Sequence, residues 1–220
     1  MIEFDESTPF LYENGFYQTS HPSRMGKLLA HYELYKRIAG LPGHVVECGV
    51  FKAASLIRWA TFRHVLESAD SRRIVGFDAF GAFPDPDGNA DRAFAAKFEA
   101  EAGTGLSVEQ VKHVLARKGF SGVELVAGDV CETVPSYANA HPELRIALLH
   151  IDVDVYEPSR VALEVLGPRM VRGGLIVFDD YGTVGGETRA ADEFLAANPT
   201  LRIEKLPISH IPAFVVASAS

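Results

Sequence analysis

The sequence has few of the residues and runs that define secreted, zinc-cluster or membrane proteins. It contains only two cysteines, Cys48 and Cys131, so their spacing supports neither a disulfide framework nor a cysteine-based zinc site. No apolar run approaches the roughly 20 residues needed to cross a bilayer, and the first residues lack the basic-then-apolar order of a signal peptide. Positive charge is also scarce: the net charge of -8 disfavours nonspecific binding to nucleic acid or to anionic membranes. We therefore expect a cytoplasmic protein with neither of those partners.

Length and apolar content indicate one domain. The 220 residues, 47% of them hydrophobic, are enough to bury one large core. We find no internal repeat, and we predict a single domain over residues 1–220. Residues 1–22 are rich in aromatic side chains but show no sustained period, so we expect them to form an N-terminal arm or lid.

Strand-like and helix-like segments alternate along most of the chain. A helix is predicted over residues 24–38, where apolar residues recur at helical spacing until Gly40 and Pro42. Apolar runs then predict five strands, separated by helical segments, over residues 45–49, 73–78, 123–127, 147–151 and 174–178. Residues 201–206 and 213–217 are joined by a loop too short for a parallel crossover, so they should pair antiparallel. The prediction is a doubly wound α/β sheet, mostly parallel, with a C-terminal antiparallel hairpin, which resembles the class I methyltransferase fold.

Acidic residues fall where each predicted parallel strand ends. They are Glu47, Asp78, Asp129, Asp152 and Asp179. In open α/β sheets this carboxyl edge is where ligands bind. Asp152 and the pair Asp179–Asp180 follow almost uninterrupted apolar runs, and carboxylates gathered in a cleft resist ionisation unless a cation compensates them. The pattern therefore favours a hard divalent metal and a metal-assisted enzyme.

The turn after the first strand separates two cofactors. A dinucleotide site would show three glycines in the pattern Gly-x-Gly-x-x-Gly, whereas this turn has one glycine, Gly49, preceded by Glu47. An acid there would repel a pyrophosphate but suits the ammonium and sulfonium of S-adenosylmethionine. Asp78 can accept hydrogen bonds from ribose hydroxyls, which both cofactors possess. Lys52 either meets the cofactor carboxylate or is a solvated loop lysine.

Several motifs together resemble the macrocin O-methyltransferase family of S-adenosylmethionine- and Mg²⁺-dependent sugar O-methyltransferases. The matching stretches are residues 46–52, 76–84, 128–135, 150–157 and 173–181, and the last two are the most specific. The resemblance implies a methyltransferase domain in which Asp152, Asp179 and Asp180 hold the magnesium and Asp152 is also the favoured base. It places Asp129 in the segment beside the adenine. The chain departs from the family at Ala53 and Ala54, where small glycines are usual.

The chemistry leaves the proton acceptor open. A metal-bound sugar hydroxyl has a lowered pKa, and Asp152 or His150 lies on the same face of the predicted strand to receive its proton. His150 is equally consistent with a hydrogen-bonded core residue, and His210, in the loop before the last strand, is a second base candidate. The expected acceptor is a sugar hydroxyl of a glycosylated natural product, a nucleotide sugar or a glycan precursor. The protein could form a homo-oligomer with any of these acceptors.

Two other enzyme classes stay open on the sequence. A catechol-type O-methyltransferase would use the same cofactor and metal. Residues 148–155 also resemble the nucleophile motif of haloacid-dehalogenase-like Mg²⁺ phosphohydrolases, with Asp152 attacking phosphorus and Asp154 acting as acid or base. The position of the motif argues against this class, because it normally opens its domain and here three strand–helix units precede it.

Overall fold

The computed structural model describes residues 5, 7–86 and 88–218, and it forms one sheet of seven strands. The strands are β1 (His44–Cys48), β2 (Ile74–Asp78), β3 (Val123–Ala127), β4 (Ile146–Ile151), β5 (Met170–Phe178), β6 (Glu204–Lys205) and β7 (Ala213–Val216). Their order across the sheet is β3-β2-β1-β4-β5-β7-β6. Strands β1 to β5 are parallel, whereas β7 runs antiparallel to β5 and to β6. The predicted mostly parallel sheet with a C-terminal antiparallel hairpin is confirmed.

Helices cover both faces of the sheet. They are α1 (Pro9–Thr19), α2 (Pro22–Ile38), α3 (Ala54–Leu66), α4 (Asn89–Ala102), α5 (Val108–Arg117), α6 (Val130–Ala140), α7 (Tyr156–Leu166) and α8 (Gly185–Ala197). One apolar core lies between the sheet and α2, α3 and α5, and a second lies between the sheet and α6, α7 and α8. Because β4 is covered on both sides, all six of its residues are buried, which explains its uninterrupted apolar sequence. Within the described ranges, no helix combines the length and apolar character that crossing a membrane requires.

Some helix boundaries differ from the prediction by about a turn or less. Helix α2 begins at Pro22, since proline fits the first helical position and the His21 side chain accepts a hydrogen bond from the backbone N–H of Ser23. Helix α7 begins at Tyr156 for a similar reason: Pro158 lies in its first turn, where its missing N–H costs nothing. A capping box of Ser107 and Gln110 opens α5.

The N-terminal arm contains a helix that the sequence did not predict. Residues 1–4 and 6 of the expected arm lie outside the described residues, and α1 occupies Pro9–Thr19. None of its side chains is buried, and Phe10 is 75% exposed. Apolar periodicity arises where one helix face packs on a core. A helix that buries no face has no reason to show that period.

The strand order reverses between β1 and β4, and this is where the loops approach most closely. The backbone N–H of Asp152 donates to the carbonyl of Cys48 at 2.8 Å. Gly49 has a φ of +93°, and a Cβ at that position would lie 1.8 Å from the carbonyl oxygen of Asp152. Only glycine fits there. Such a switch point is where open α/β sheets bind ligands, and it brings the predicted cofactor turn beside the predicted metal ligands.

Candidate active site

A cavity of about 470 Å³ opens at the carboxyl edge of the sheet, within the size range of small-molecule sites. Its walls come from the loops that follow β1 to β5, from the loop over residues 79–86, and from α2 and α3. Predicted site residues in the wall are Gly49, Lys52, Asp78, Asp129, Asp152, Asp179 and Asp180. Glu47, His150 and His210 are not part of the wall. The structure therefore gathers most, but not all, of the predicted site residues around one space.

Three aspartates form a compact cluster at one end of this cavity. One carboxylate oxygen from each of Asp152, Asp179 and Asp180 lies within 4.8 Å of the others. Burial and the charge of Asp179 raise the pKa of Asp152 well above its usual range, and the same two causes raise the pKa of Asp180. Asp154 is next to them, and burial, Asp180 and Asp179 raise its pKa to about 7. Carboxylates that resist ionisation in this way are stabilised by a bound cation, and an all-oxygen donor set suits a hard divalent ion.

Asp179 is the exception, because hydrogen-bond partners and positive charge surround it. The Lys27 ammonium donates a hydrogen bond to its Oδ2. The Nε2 atoms of His150 and His31 lie 3.2 Å and 3.4 Å from its Oδ1. Burial alone would raise the pKa of Asp179, but these partners hold it well below its usual range. Asp179 is therefore ionised and fixed in orientation.

His150 connects Asp179 to Glu47 behind the cavity wall. The two residues are paired neighbours on β4 and β1, and both are fully buried. His150 Nδ1 lies 3.5 Å from Glu47 Oε2, and Glu47 Oε1 accepts a hydrogen bond of 2.8 Å from the Ser55 hydroxyl. Burial opposes the charged imidazole, yet Asp179 and Glu47 raise the pKa of His150 well above its usual range. In this arrangement the imidazolium bridges two carboxylates.

Asp78 holds the turn after β1 in place. Its Oδ2 accepts hydrogen bonds from the backbone N–H groups of Val50 at 2.7 Å and Phe51 at 2.9 Å, and its Oδ1 accepts from Phe80 at 2.6 Å. A carboxylate has about four lone-pair positions, so roughly one is left for a ligand. The predicted contact with ribose hydroxyls is compatible with this geometry, but Asp78 also has a structural role.

The other predicted residues are on the surface. Asp129 is exposed and accepts a hydrogen bond of 2.8 Å from the backbone N–H of Cys131, which caps α6. The Lys52 ammonium donates to the carbonyl of Ala102 and lies 5.0 Å from the centre of the Phe51 ring. His210 is exposed, and only its neighbour Ile211 reaches the cavity wall. The roles of these residues stay predictions.

Four basic residues of the site were not predicted from the sequence. Arg24, Lys27 and His31 of α2 and Arg58 of α3 line the same end of the cavity as the aspartates. Residues 24, 27 and 31 follow a spacing of three and four, which places them on one face of α2. That spacing is present in the sequence and is the signal that could identify these residues. Helix α2 therefore brings positive charge over the acidic cluster.

Glu187, in the first turn of α8, was also missed. It is fully buried, its Oε1 accepts a hydrogen bond of 2.9 Å from the backbone N–H of Asp180, and its own N–H donates to the carbonyl of Asp154 at 3.0 Å. Asp154 does not cap α7, because the backbone N–H of Tyr156 is bound by Asp91 at 2.8 Å. Glu187 thus ties together the loops after β4 and β5.

The sheet order and the acidic crevice at its switch point define the class I methyltransferase fold, and solved structures of that class match it. The crystal structure described as CalS11, calicheamicin methyltransferase, has a TM-score of 0.76 and 30% identity, covering 94% of this chain and 84% of its own. The model of the macrocin-O-methyltransferase (TylF) family matches residues 22–216, so the chain belongs to that family. The resemblance found in the sequence is confirmed, and the phosphohydrolase alternative is not supported.

Two further relatives bear on the acceptor. An 8-demethyl-8-(2,3-dimethoxy-alpha-L-rhamnosyl)-tetracenomycin-C 4'-O-methyltransferase from Streptomyces olivaceus is 32% identical over 148 residues, which cover 64% of this chain and 54% of that protein. A structure described as apo CalS11, a TDP-rhamnose 3'-O-methyltransferase, is 27% identical with a TM-score of 0.73, covering 98% of this chain and 89% of its own. The chain spans between 54% and 59% of the length of the curated relatives that it matches.

Proposed function

We propose that this protein is an S-adenosylmethionine- and Mg²⁺-dependent O-methyltransferase that methylates a sugar hydroxyl. The observation that carries the proposal is the cluster of Asp152, Asp179 and Asp180 at the switch point of a methyltransferase fold. The names of its relatives support a sugar acceptor. One modifies a completed rhamnosyl natural product, and another modifies a nucleotide-linked rhamnose.

The residues present fit a magnesium ion. Asp152, Asp179 and Asp180 would hold it, since all three offer carboxylate oxygens at short mutual distances. Burial and mutual repulsion also raise the pKa of Asp152, so a cation is needed for all three carboxyl groups to be ionised together. When bound, Mg²⁺ would lower the pKa of a coordinated sugar hydroxyl and leave coordination positions for it. Lys27 and the His150 imidazolium would keep Asp179 oriented for this role.

Asp152 is the best-placed proton acceptor. Asp152 lines the cavity and belongs to the cluster that would hold the metal, so its carboxylate would lie beside a metal-bound hydroxyl. His150 lies behind Asp179 and outside the cavity wall, so we assign it a positioning role. His210 would have to enter the cavity from its exposed loop and ranks second as a base.

The cofactor would occupy the part of the cavity between Gly49 and Asp129. Asp78 offers its remaining lone pair to a ribose hydroxyl, and Asp129 and Lys52 lie on the adjoining wall. Glu47 would act through Ser55: its carboxylate accepts the hydroxyl proton of Ser55, so that the Ser55 oxygen can accept a hydrogen bond from the cofactor ammonium. When bound, S-adenosylmethionine would supply the methyl group.

The test is methyl transfer to a panel of glycosides and nucleotide sugars, followed by mass spectrometry for the gain of one CH₂ group. We expect transfer that depends on Mg²⁺ and stops when EDTA is added. The variant Asp179→Asn should be inactive, whereas Asp70→Asn, which removes an exposed carboxylate outside the cavity, should keep activity. Transfer that persists in EDTA and in Asp179→Asn would contradict the metal-dependent mechanism.

A further inference from the structure

Two arginines in the cavity have no partner within the described ranges. Arg24 on α2 and Arg58 on α3 line the end of the cavity that contains Asp179, and neither side chain makes a hydrogen bond or an ion pair there. Arg24 is exposed and Arg58 is half-buried. The two buried arginines elsewhere, Arg63 and Arg72, do have protein partners. Arg63 donates to the carbonyls of Arg72 and Gly122, and Arg72 pairs with Glu67 at 2.6 Å.

The two guanidinium groups are close enough to repel each other. Burial, and then the charge of Arg24, lower the pKa of Arg58, while Asp179, Glu47 and Asp152 act in the opposite direction. A half-buried charge without a hydrogen-bond partner, beside a like charge, is unfavourable for the folded protein. Such a pair is stabilised when a ligand brings negative charge. The planar guanidinium binds phosphate or carboxylate oxygens in pairs, so two arginines suit one anionic group.

We propose that Arg24 and Arg58 together bind a phosphate or diphosphate of the acceptor, so that the substrate is a nucleotide-linked or phosphorylated sugar and not a neutral glycoside. This inference rests on the proposed function. That end of the cavity then has complementary groups: carboxylates that would take a cation beside the reacting hydroxyl, and arginines that would take the anion. In a protein of net charge -8, a local pair of unpaired cations is also what would attract an anionic substrate into the cleft.

The first test is anion binding without catalysis. Inorganic pyrophosphate is titrated by calorimetry into protein saturated with S-adenosylhomocysteine, with EDTA present so that pyrophosphate cannot bind through a metal. We expect binding by the wild type and an affinity lower by about tenfold or more in the double variant Arg24→Gln/Arg58→Gln, because the variant loses the charged hydrogen bonds to the anion. The control is Arg172→Gln, which removes an equal charge from an exposed position outside the cavity. Equal affinities in all three proteins, or no binding by the wild type, would overturn the proposal.

The second test separates the acceptor from the cofactor, whose carboxylate is also an anion. Affinities for S-adenosylhomocysteine and for 5'-methylthioadenosine, which lacks the amino-acid part, are compared in the wild type and the double variant. We expect both affinities to be unchanged. If the double variant binds S-adenosylhomocysteine more weakly but 5'-methylthioadenosine equally well, the arginines hold the cofactor carboxylate and the proposal is wrong.

The third test uses methyl transfer to a nucleotide-linked sugar and to the methyl glycoside of the same sugar. We expect a higher kcat/KM for the nucleotide-linked form, and we expect the double variant to lose that preference. Equal kcat/KM on both acceptors would overturn the inference and leave the proposed function intact. The opposite result is also possible: pyrophosphate binding could depend on the arginines while no sugar is methylated. That result would support the anion site and contradict the proposed sugar acceptor.

Discussion

The carboxyl edge of the sheet has two halves, β1 to β3 and β4 to β5, whose acidic residues differ in the groups that stabilise their negative charge. The carboxylates at the carboxyl ends of β1, β2 and β3 each accept hydrogen bonds from nearby protein groups: Glu47 from Ser55, Asp78 from three backbone N–H groups, and Asp129 from the start of α6. The carboxylates after β4 and β5 crowd one another, and the pKa of Asp152 is raised even though Lys27 and His150 are nearby. A position at the carboxyl edge therefore does not by itself make a metal ligand. The further feature that favours a metal is the crowding of three carboxylates at one place.

The largest effect expected from this difference is the loss of metal binding in Asp179→Asn. The substitution keeps the shape of the side chain but removes the one carboxylate of the cluster whose pKa is held low. Because changing even an outer partner of a metal ligand costs 10- to 100-fold, we expect Mg²⁺ affinity to fall by at least about a hundredfold, measured by calorimetry. Binding of S-adenosylhomocysteine should be largely retained.

The same substitution at the other half of the edge is the control. Asp129→Asn keeps a side-chain oxygen for the N–H of Cys131, so it should neither unfold α6 nor change Mg²⁺ affinity. If both variants lost Mg²⁺ binding equally, the distinction between the two halves would be wrong. Circular dichroism of both variants would show whether either has lost its fold.

A second expectation concerns stability. A cation that binds the folded cluster but not the unfolded chain should raise the free energy of unfolding by about 2.7 kcal/mol at a concentration of a hundred times its Kd. Thermal unfolding with Mg²⁺ and with EDTA would measure this for the wild type and for Asp152→Asn. We expect the shift in the wild type and little or none in the variant. A shift of equal size in Asp152→Asn would place the ion elsewhere.

Much of the fold was predictable because it depends on short-range patterns. Strand β3 was predicted over residues 123–127 and is found there, since glycines at positions 122 and 128 bound its alternating sequence. The clustering of Asp152, Asp179 and Asp180 was also predictable. It follows from the rule that parallel strands end at one edge.

The compensation of the acids was not predictable, because the partners are distant in sequence. Lys27 and Asp179 are 152 residues apart and meet only when α2 packs over the end of β5. Glu187 lies in the first turn of an ordinary amphipathic helix, and its full burial depends on how α8 packs against the loops after β4 and β5. Spacing within one segment does not contain such information.

A third prediction tests the structural role of Asp78. Asp78→Ala would leave the backbone N–H groups of Val50, Phe51 and Phe80 without their acceptor. Because an unsatisfied donor costs about 1–3 kcal/mol and water can replace part of the loss, we expect a destabilisation of about 2–3 kcal/mol in chemical denaturation. Affinity for S-adenosylhomocysteine should fall, while Mg²⁺ affinity should not. A variant as stable as the wild type would mean that Asp78 serves only the ligand.

The smallest effect separates the capping role of Asp129 from a ligand role. Asp129→Ala removes the cap of α6 and should cost about 1 kcal/mol in unfolding free energy, whereas Asp129→Asn should cost almost nothing because asparagine caps equally well. If Asp129 also contacts the cofactor through its charge, both variants should bind S-adenosylhomocysteine more weakly than the wild type. Weaker binding in the alanine variant alone would mean that the helix start, and not the carboxylate, positions this side of the cavity. The comparison of the two variants therefore decides whether the third carboxylate of the edge belongs to the fold or to the site.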